Sequence, residues 1–146
     1  MSDFMLRRAN PADASKVTTC IQQAYAGPLR DIPDLPDVTA CANDDIASHQ
    51  AWVFADQNDI AGYIVFDQVR DGIMIYNLAV APKAQGAGLA RRLMAKAEEA
   101  AREAGVWVLR LRTHRLMEST VSMYLHMGWT QVEVNGNSVL MQKDLQ

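Results

Sequence analysis

The chain has 146 residues, of which 49% are hydrophobic and 21% charged, and 14 Lys and Arg against 17 Asp and Glu give a formal net charge of -3. This length suffices for one hydrophobic core, so we expect residues 1–146 to form a single domain. The charge balance lacks the basic excess of nucleic-acid-binding proteins, which argues against nucleic acid as a main partner.

Neither the cysteines nor the N-terminus indicates a secreted, metal-binding or membrane protein. Cys20 and Cys41 are too few for a disulfide scaffold, and neither lies in a Cys/His cluster of the metal-binding kind. Residues 1–10 lack the apolar segment of a signal peptide, and no stretch is long enough to span a membrane. We therefore expect reduced thiols, no metal, no membrane partner and a cytoplasmic location.

The first part of the chain predicts a short strand at 4–8 and then a helix. Asn10, Pro11 and Asp13 supply an N-cap, a proline at the first helical position and an acid in the first turn. Apolar residues then recur at helical spacing until Gly27-Pro28, where the helix is expected to end; they are Val17, Cys20, Ile21, Ala24 and Tyr25. Residues 30–45 predict a loop with one short helix, or alternatively a solvated acidic linker.

The middle of the chain predicts an antiparallel meander. Three β-rich runs at 51–55, 61–69 and 73–80 follow one another, and Asp71-Gly72 has the composition of a two-residue hairpin turn.

The pattern then changes to helical spacing over 89–104, and Gly105 supplies a C-terminal stop. A strand at 106–111 follows, and this strand-helix-strand order predicts a right-handed parallel crossover. A second helix at 118–127 is expected to end at Gly128. Two further strands, at 130–134 and 138–141, flank the hairpin turn Asn135-Gly136.

The segment between the third meander strand and the long helix has the composition of an anion site. Glycines at a helix N-terminus expose backbone N–H groups, and the helix dipole adds positive potential. Arg91 and Arg92 follow and could contact phosphate. Simple turn chemistry explains the glycines equally well. A Walker loop is disfavoured because Leu89-Ala90 follows Gly88, and a dinucleotide fingerprint because a meander precedes the loop.

Three segments together resemble the GNAT superfamily of N-acetyltransferases. Its cofactor motif, [Gln/Arg]-x-x-Gly-x-[Gly/Ala], is matched by Gln85-Gly86-Ala87-Gly88-Leu89-Ala90. Asn77-Leu78-Ala79-Val80-Ala81-Pro82 is similar to the family's fourth strand and its exit, and Tyr124-Leu125-His126-Met127-Gly128-Trp129 to its Tyr-x-x-x-Gly-aromatic signature. The resemblance implies an α/β (α+β) fold with about four helices. Its mixed, mostly antiparallel sheet would have six to seven strands and would splay between strands 4 and 5.

The resemblance also implies acetyl-CoA as co-substrate and a role for each matching residue. The backbone of Leu78, Ala79 and Val80 would bind the pantetheine arm, and the Val80 N–H would polarise the thioester carbonyl. Tyr124 would protonate the departing thiolate, although a phenol that only fills the core is the alternative. The pyrophosphate would be held by Gln85, Gly86, Ala87, Gly88, Leu89, Ala90 and Arg91.

Two positions depart from the family pattern. The Glu that often serves as general base is replaced by Met74, and an Asn that often contacts the cofactor is replaced by Met117. His114, Glu118 and Asp71 are alternative bases, although the simpler interpretation of His114 is an exposed polar residue at a strand end. The base is therefore left open, with solvent as a further possibility.

The expected reaction is transfer of an acetyl group to a primary amine of a small molecule or peptide, by a monomer or homodimer. Five aspartates between residues 31 and 45 suggest a cationic acceptor, with Asp34 and Asp37 as binding residues. The acceptor's identity and the choice between acetyl and longer acyl groups stay open. The rival interpretation is a GNAT-fold module that binds acyl-CoA without turning it over, because Met74 supplies no base.

Overall fold

The computed structural model describes residues 4–32 and 42–145, and only the backbone of Pro28 and Leu29. The chain divides into two compact units, Met1–Phe66 with Asn77–Lys96 and Asp67–Tyr76 with Ala97–Gln146. Seven strands are hydrogen-bonded in the order β1-β2-β3-β4-β5-β7-β6: β1 (Met5–Arg8), β2 (Gln50–Ala55), β3 (Ile60–Val69), β4 (Gly72–Val80), β5 (Val108–His114), β6 (Thr130–Asn135) and β7 (Ser138–Asp144). The α-helices in the described ranges are α1 (Ala14–Ala24), α2 (Ala26–Asp31), α3 (Ala42–Ser48), α4 (Leu89–Ala104) and α5 (Glu118–His126). This mixed sheet with flanking helices is the predicted fold class.

The helix predicted after Asn10 begins with a 3₁₀ turn, Pro11–Asp13, which leads into α1. The Asn10 side chain accepts from the Ala12 N–H, and Asp13 accepts from the Asn10 N–H, so the two residues cap the turn reciprocally.

The predicted end of this helix near Gly27-Pro28 is wrong, because α1 ends at Ala24 and α2 runs through both residues. Pro28 is tolerated since it lies in the first turn of α2, where a backbone N–H has no intrahelical acceptor. Beyond α2, the short helix expected within 30–45 corresponds to α3, which begins at Ala42.

The predicted meander corresponds to β2, β3 and β4, which are neighbours in the sheet, with β2 and β3 antiparallel. Strand β1 also pairs antiparallel with β2. The last turn of the meander is displaced by one residue from the prediction. Arg70 and Asp71 form the turn, and Gly72 is already the first residue of β4.

The predicted parallel crossover is also confirmed. Strands β4 and β5 pair in parallel through Ile73, Met74 and Ile75, although β4 continues to Val80. Helix α4 has the predicted bounds, and Gly105 follows it with φ of +72°. The C-terminal hairpin forms as expected, with β7 pairing to both β5 and β6.

Each unit has its own buried residues. In the first, α1 and α3 contribute to a core with β2 and β3; its members include Val17, Ile21, Ile46, Val53, Tyr63 and Val65. In the second, alternating residues of β5 and β7 are buried; they are Leu109, Leu111, Val139 and Met141. Lys143 is paired with Leu109 in this ladder and lies 3.5 Å from Glu98, so α4 lies on this buried face.

Candidate functional site

The glycine loop before α4 has a backbone that only glycine adopts easily. Gly86 and Gly88 have φ of +87° and +78°, in the left-handed region. A β-carbon at either position would meet no atom within 4 Å, so the space beside both residues is open. The loop therefore presents bare backbone to its surroundings, as an anion site requires.

Helix α4 starts directly at this loop. The Gly88 carbonyl accepts the Arg92 N–H at 3.2 Å, which makes Gly88 the N-cap. The N–H groups of the first turn consequently lack intrahelical acceptors and lie at the positive end of the helix dipole. Arg91 is exposed, whereas the Arg92 guanidinium stacks 4.7 Å from the centroid of the Phe54 ring.

The end of β4 turns its backbone groups alternately to its two sides. The Ala81 N–H donates to the Ala61 carbonyl at 2.8 Å, and the Ala79 carbonyl faces Gly62. The backbone N–H and C=O groups of both alanines are therefore directed toward β3. Because neighbouring residues of a strand point oppositely, the N–H and C=O groups of Leu78 and Val80 lie on the other edge. The ladder with β5 ends at Ile75, and in the part of the chain that the structure describes no strand pairs with that edge at Leu78 or Val80.

Both carbonyls on this edge already accept a hydrogen bond from a side chain. The Tyr25 hydroxyl donates to the Leu78 carbonyl at 3.2 Å and lies 3.5 Å from Oδ1 of Asn77. Gln85 Nε2 donates to the Val80 carbonyl at 3.3 Å. Gln85 thus ties the glycine loop to the end of β4.

In the second unit, Tyr124 lies on α5 with its ring buried. The ring centroid lies 5.5 Å from that of Trp129, and the Trp129 N–H donates to the Tyr124 carbonyl at 3.0 Å. Gly128 makes this return possible with φ of +92°. The burial agrees with the packing alternative for Tyr124, and the acid role stays a prediction.

Of the alternative bases, Asp71 is engaged in a bidentate ion pair. Its carboxylate oxygens lie 2.7 Å and 3.0 Å from the Arg110 guanidinium, and these hydrogen bonds hold the pKa of Asp71 below its usual value. Arg110 also donates to Gln142 at 3.0 Å. A carboxylate paired in this way is a poor proton acceptor.

The reading of His114 as an exposed residue is wrong, because its side chain is buried at the end of β5. Its Nδ1 accepts the Leu116 N–H at 3.1 Å, which stabilises the turn that leads into α5. Glu118 is exposed in the first turn of α5. Met74 is half-buried opposite Arg110.

The aspartates proposed to bind the acceptor are only partly described. Asp34 and Asp37 lie outside the described residues. Asp31 is exposed and ion-paired with Arg30 at 3.2 Å. Asp44 is exposed on α3, whereas burial raises the pKa of the neighbouring Asp45.

Two further predictions concern metal and membrane. Among residues 4–32 and 42–145, no group of three or more His, Cys, Asp or Glu side chains is arranged to hold a metal ion. No helix in these ranges is long and apolar enough to cross a membrane. Burial raises the pKa of the Cys20 thiol to about 11, so this thiol stays protonated, and Cys41 lies outside the described residues.

One residue at the β4 edge was not predicted from the sequence. Tyr25 was recognised only as part of the apolar face of α1, yet its hydroxyl reaches a carbonyl that lies 53 residues later in the chain. No periodicity or motif marks such a contact.

Comparison with known proteins assigns the family. Residues 47–131 match the acetyltransferase (GNAT) domain, and no curated protein matches the sequence. The PaiA N-acetyltransferase of Thermoplasma acidophilum, solved with coenzyme A, superposes with a TM-score of 0.82 at 15% identity over 97% of this chain and 99% of its own. A putative GNAT acetyltransferase of Desulfovibrio desulfuricans gives 0.80 at 20% identity over 98% and 99%. The ribosomal-protein-S18-alanine N-acetyltransferase of Escherichia coli gives 0.74 at 17% identity over 98% and 94%. Since the domain match covers more than half of the chain, this protein belongs to the GNAT acetyltransferase family.

Proposed function

We propose that this protein transfers the acetyl group of acetyl-CoA to a primary amine of a small molecule or peptide. The observation that carries the proposal is the glycine loop at the N-terminus of α4, where Gly86 and Gly88 leave open space beside the first helical turn, whose N–H groups have no intrahelical acceptors. A diphosphate fits such a site because it is anionic, compact and rich in acceptor oxygens. Coenzyme A carries a diphosphate of this kind.

The loop and the β4 edge would hold the cofactor together. Backbone N–H groups from Gly86 to Ala90 would bind the diphosphate, and Arg91 would add a charged contact. The Gln85 N–H donates to the Pro82 carbonyl at 3.3 Å, so we assign the role of Gln85 to its side chain, which ties the loop to β4. The backbone of Leu78 and Val80, which points away from β3, would bind the pantetheine arm. The Ala79 N–H and C=O point toward β3, so we no longer assign a backbone contact to this residue. The bound cofactor supplies an activated acetyl group.

The chain's own groups would then do the remaining chemistry. The Val80 N–H would donate to the acyl oxygen and stabilise the negative charge that develops there. Tyr124 would donate a proton to the departing thiolate. Met74 offers no base and Asp71 is held by Arg110, so we propose that the amine loses its proton to solvent.

Two measurements test this function. Isothermal titration calorimetry with coenzyme A tests the site, and thiol release from acetyl-CoA across a panel of primary amines tests transfer. Binding with turnover of at least one amine supports the proposal, and a protein that binds no coenzyme A would contradict it. Binding without turnover of any amine would favour the second candidate, an acyl-CoA-binding module without activity. The same assay with longer acyl-CoA donors determines which acyl group is preferred.

The acceptor is proposed to be cationic, on the basis of the acidic composition of residues 31–45. Replacing Asp34, Asp37 and Asp44 together by Asn should raise the KM for the amine by about tenfold or more, because an attractive charge is lost. An unchanged KM would remove this part of the proposal. We further propose one domain over residues 1–146, a cytoplasmic location and a monomer or homodimer, the last measurable by light scattering.

A further inference from the structure

The edge of β4 beyond Ile75 differs from an ordinary sheet edge in the hydrogen-bonding groups that it presents. A strand edge normally presents N–H donors and C=O acceptors in alternation. Here, the Leu78 carbonyl is capped by Tyr25 and the Val80 carbonyl by Gln85. The N–H groups of Leu78 and Val80 are the remaining groups on this edge, and neither donates to an acceptor within residues 4–32 and 42–145. The edge is therefore biased toward binding oxygen atoms.

We propose that Tyr25 is a positioning residue for acyl transfer, which caps the Leu78 carbonyl so that the adjacent Val80 N–H receives the acyl oxygen without a competing acceptor beside it. The inference rests on the proposed function, because it assigns the acyl group to this edge. Tyr25 acts through the backbone and needs no contact with the reacting atoms.

The placement of Tyr25 suits this role. It is the C-cap of α1, where its N–H donates to the Ile21 carbonyl at 2.9 Å, and its ring packs against the core of the first unit. Burial raises the pKa of Tyr25 to about 12, so the phenol keeps its proton at neutral pH and acts as a donor. Because the backbone and the ring of Tyr25 are both held in place, its hydroxyl has little freedom to move away from the Leu78 carbonyl.

The physical effect is electrostatic. The Leu78 carbonyl and the Val80 N–H are neighbours on the same edge, so an uncapped Leu78 oxygen would place partial negative charge next to the site of a developing oxyanion. The Tyr25 hydroxyl dipole offsets that charge, and its effect is strong where water is excluded. The loss of this cap should therefore affect the binding of an acyl oxygen more than the binding of the rest of the cofactor.

The test compares Tyr25→Phe with Tyr63→Phe. The control is matched, because Tyr63 is a fully buried tyrosine of the same unit whose hydroxyl has no hydrogen-bond partner in the described chain. Calorimetry is done with two probes: coenzyme A and its S-acetonyl thioether, a ketone analogue that cannot transfer its acyl group. We expect Tyr25→Phe to weaken binding of the ketone analogue about fivefold and to leave coenzyme A within about twofold, while Tyr63→Phe changes neither.

Turnover provides a second measurement. Tyr25→Phe should lower kcat about tenfold with little change in the KM for the amine, because the lost interaction forms mainly in the transition state. An equal loss of affinity for both probes, or a kcat equal to that of Tyr63→Phe, would overturn the inference. Thermal melts show whether either variant is unfolded. If the wild-type protein binds neither probe, the proposed function itself fails, which is a distinguishable result.

Discussion

Gly72 and Val108 approach so closely that no side chain fits between them. A β-carbon on Gly72 would lie 2.5 Å from the Val108 carbonyl oxygen, far inside van der Waals contact. Gly72 does not have a positive φ, so its conformation is open to any residue. The glycine is required by the approach of β5 to β4 and not by the geometry of the turn before it.

Gly72→Ala should therefore destabilise the protein by about 1 to 3 kcal/mol, because the backbone must shift to relieve the contact. Urea unfolding measures this change. Gly27→Ala is the matched control, since its β-carbon would lie 4.0 Å from Arg30 and the residue is helical. We expect the control to be neutral or slightly stabilising. Equal stabilities of the two variants would contradict this interpretation of Gly72.

Replacing Gly88 should weaken coenzyme A binding as well as strain the backbone. Gly88→Ala forces a non-glycine residue to φ near +78° and adds a methyl group where the diphosphate is proposed to bind. Gly136→Ala is the matched control, with φ of +62° in the exposed hairpin turn. Each substitution should cost roughly 1 to 2 kcal/mol of stability. Only Gly88→Ala should weaken coenzyme A binding, by about tenfold or more, in calorimetry.

Asp13 should make stability depend on pH. Its hydrogen bonds with Arg7, at 2.8 Å and 2.9 Å, lower the pKa of Asp13 below the ordinary value of 3.8. A carboxyl whose pKa is depressed by folding stabilises the protein above its unfolded pKa, and this contribution is lost as pH falls through the folded pKa. Asp13→Ala should cost about 1 to 3 kcal/mol at pH 7, because it also removes the helix cap.

Urea unfolding at pH 7, 5 and 2.5 measures this dependence. The difference between wild type and Asp13→Ala should be similar at pH 7 and pH 5, and smaller at pH 2.5. A double-mutant cycle with Arg7→Ala isolates the coupling of the pair. A difference that grows toward acid pH would show that the sign is wrong.

Tyr124→Phe tests the proposed acid. Loss of the phenol should lower kcat about 100-fold, within the range for a general acid, while coenzyme A affinity changes little. The Phe ring still packs 5.5 Å from Trp129, so the melting temperature should stay close to that of wild type. A kcat within twofold of wild type would leave Tyr124 with the packing role alone.

Asp71→Asn tests whether the ion pair with Arg110 prevents the Asp71 carboxylate from acting as a general base. The pair is exposed on the Asp71 side, so its loss should change stability little. We expect kcat within about twofold of wild type. A fall of about 100-fold or more, as expected for loss of a general base, would assign that role to Asp71.

The local elements were predictable because their signals are local. The Asn10 and Asp13 cap, the apolar spacing of α4 and the Asn135-Gly136 hairpin each depend on residues that lie within a few positions of one another. The order of strands and helices along the chain followed from these elements, and the strand-helix-strand order predicted the parallel pairing of β4 and β5. The glycine loop was recognisable for the same reason, since its glycines directly precede α4.

The contacts between distant segments were decided by the tertiary structure alone. Tyr25 reaches Leu78 across 53 residues, Asp71 is neutralised by Arg110, and His114 is buried although its type suggested exposure. Pro28 was read as a helix end and instead lies within the first turn of α2. Sequence patterns determine which residues share an element or a face, because backbone geometry repeats every few residues. Which side chain contacts which carbonyl depends on how those faces pack, and sequence periodicity does not encode contacts between distant segments.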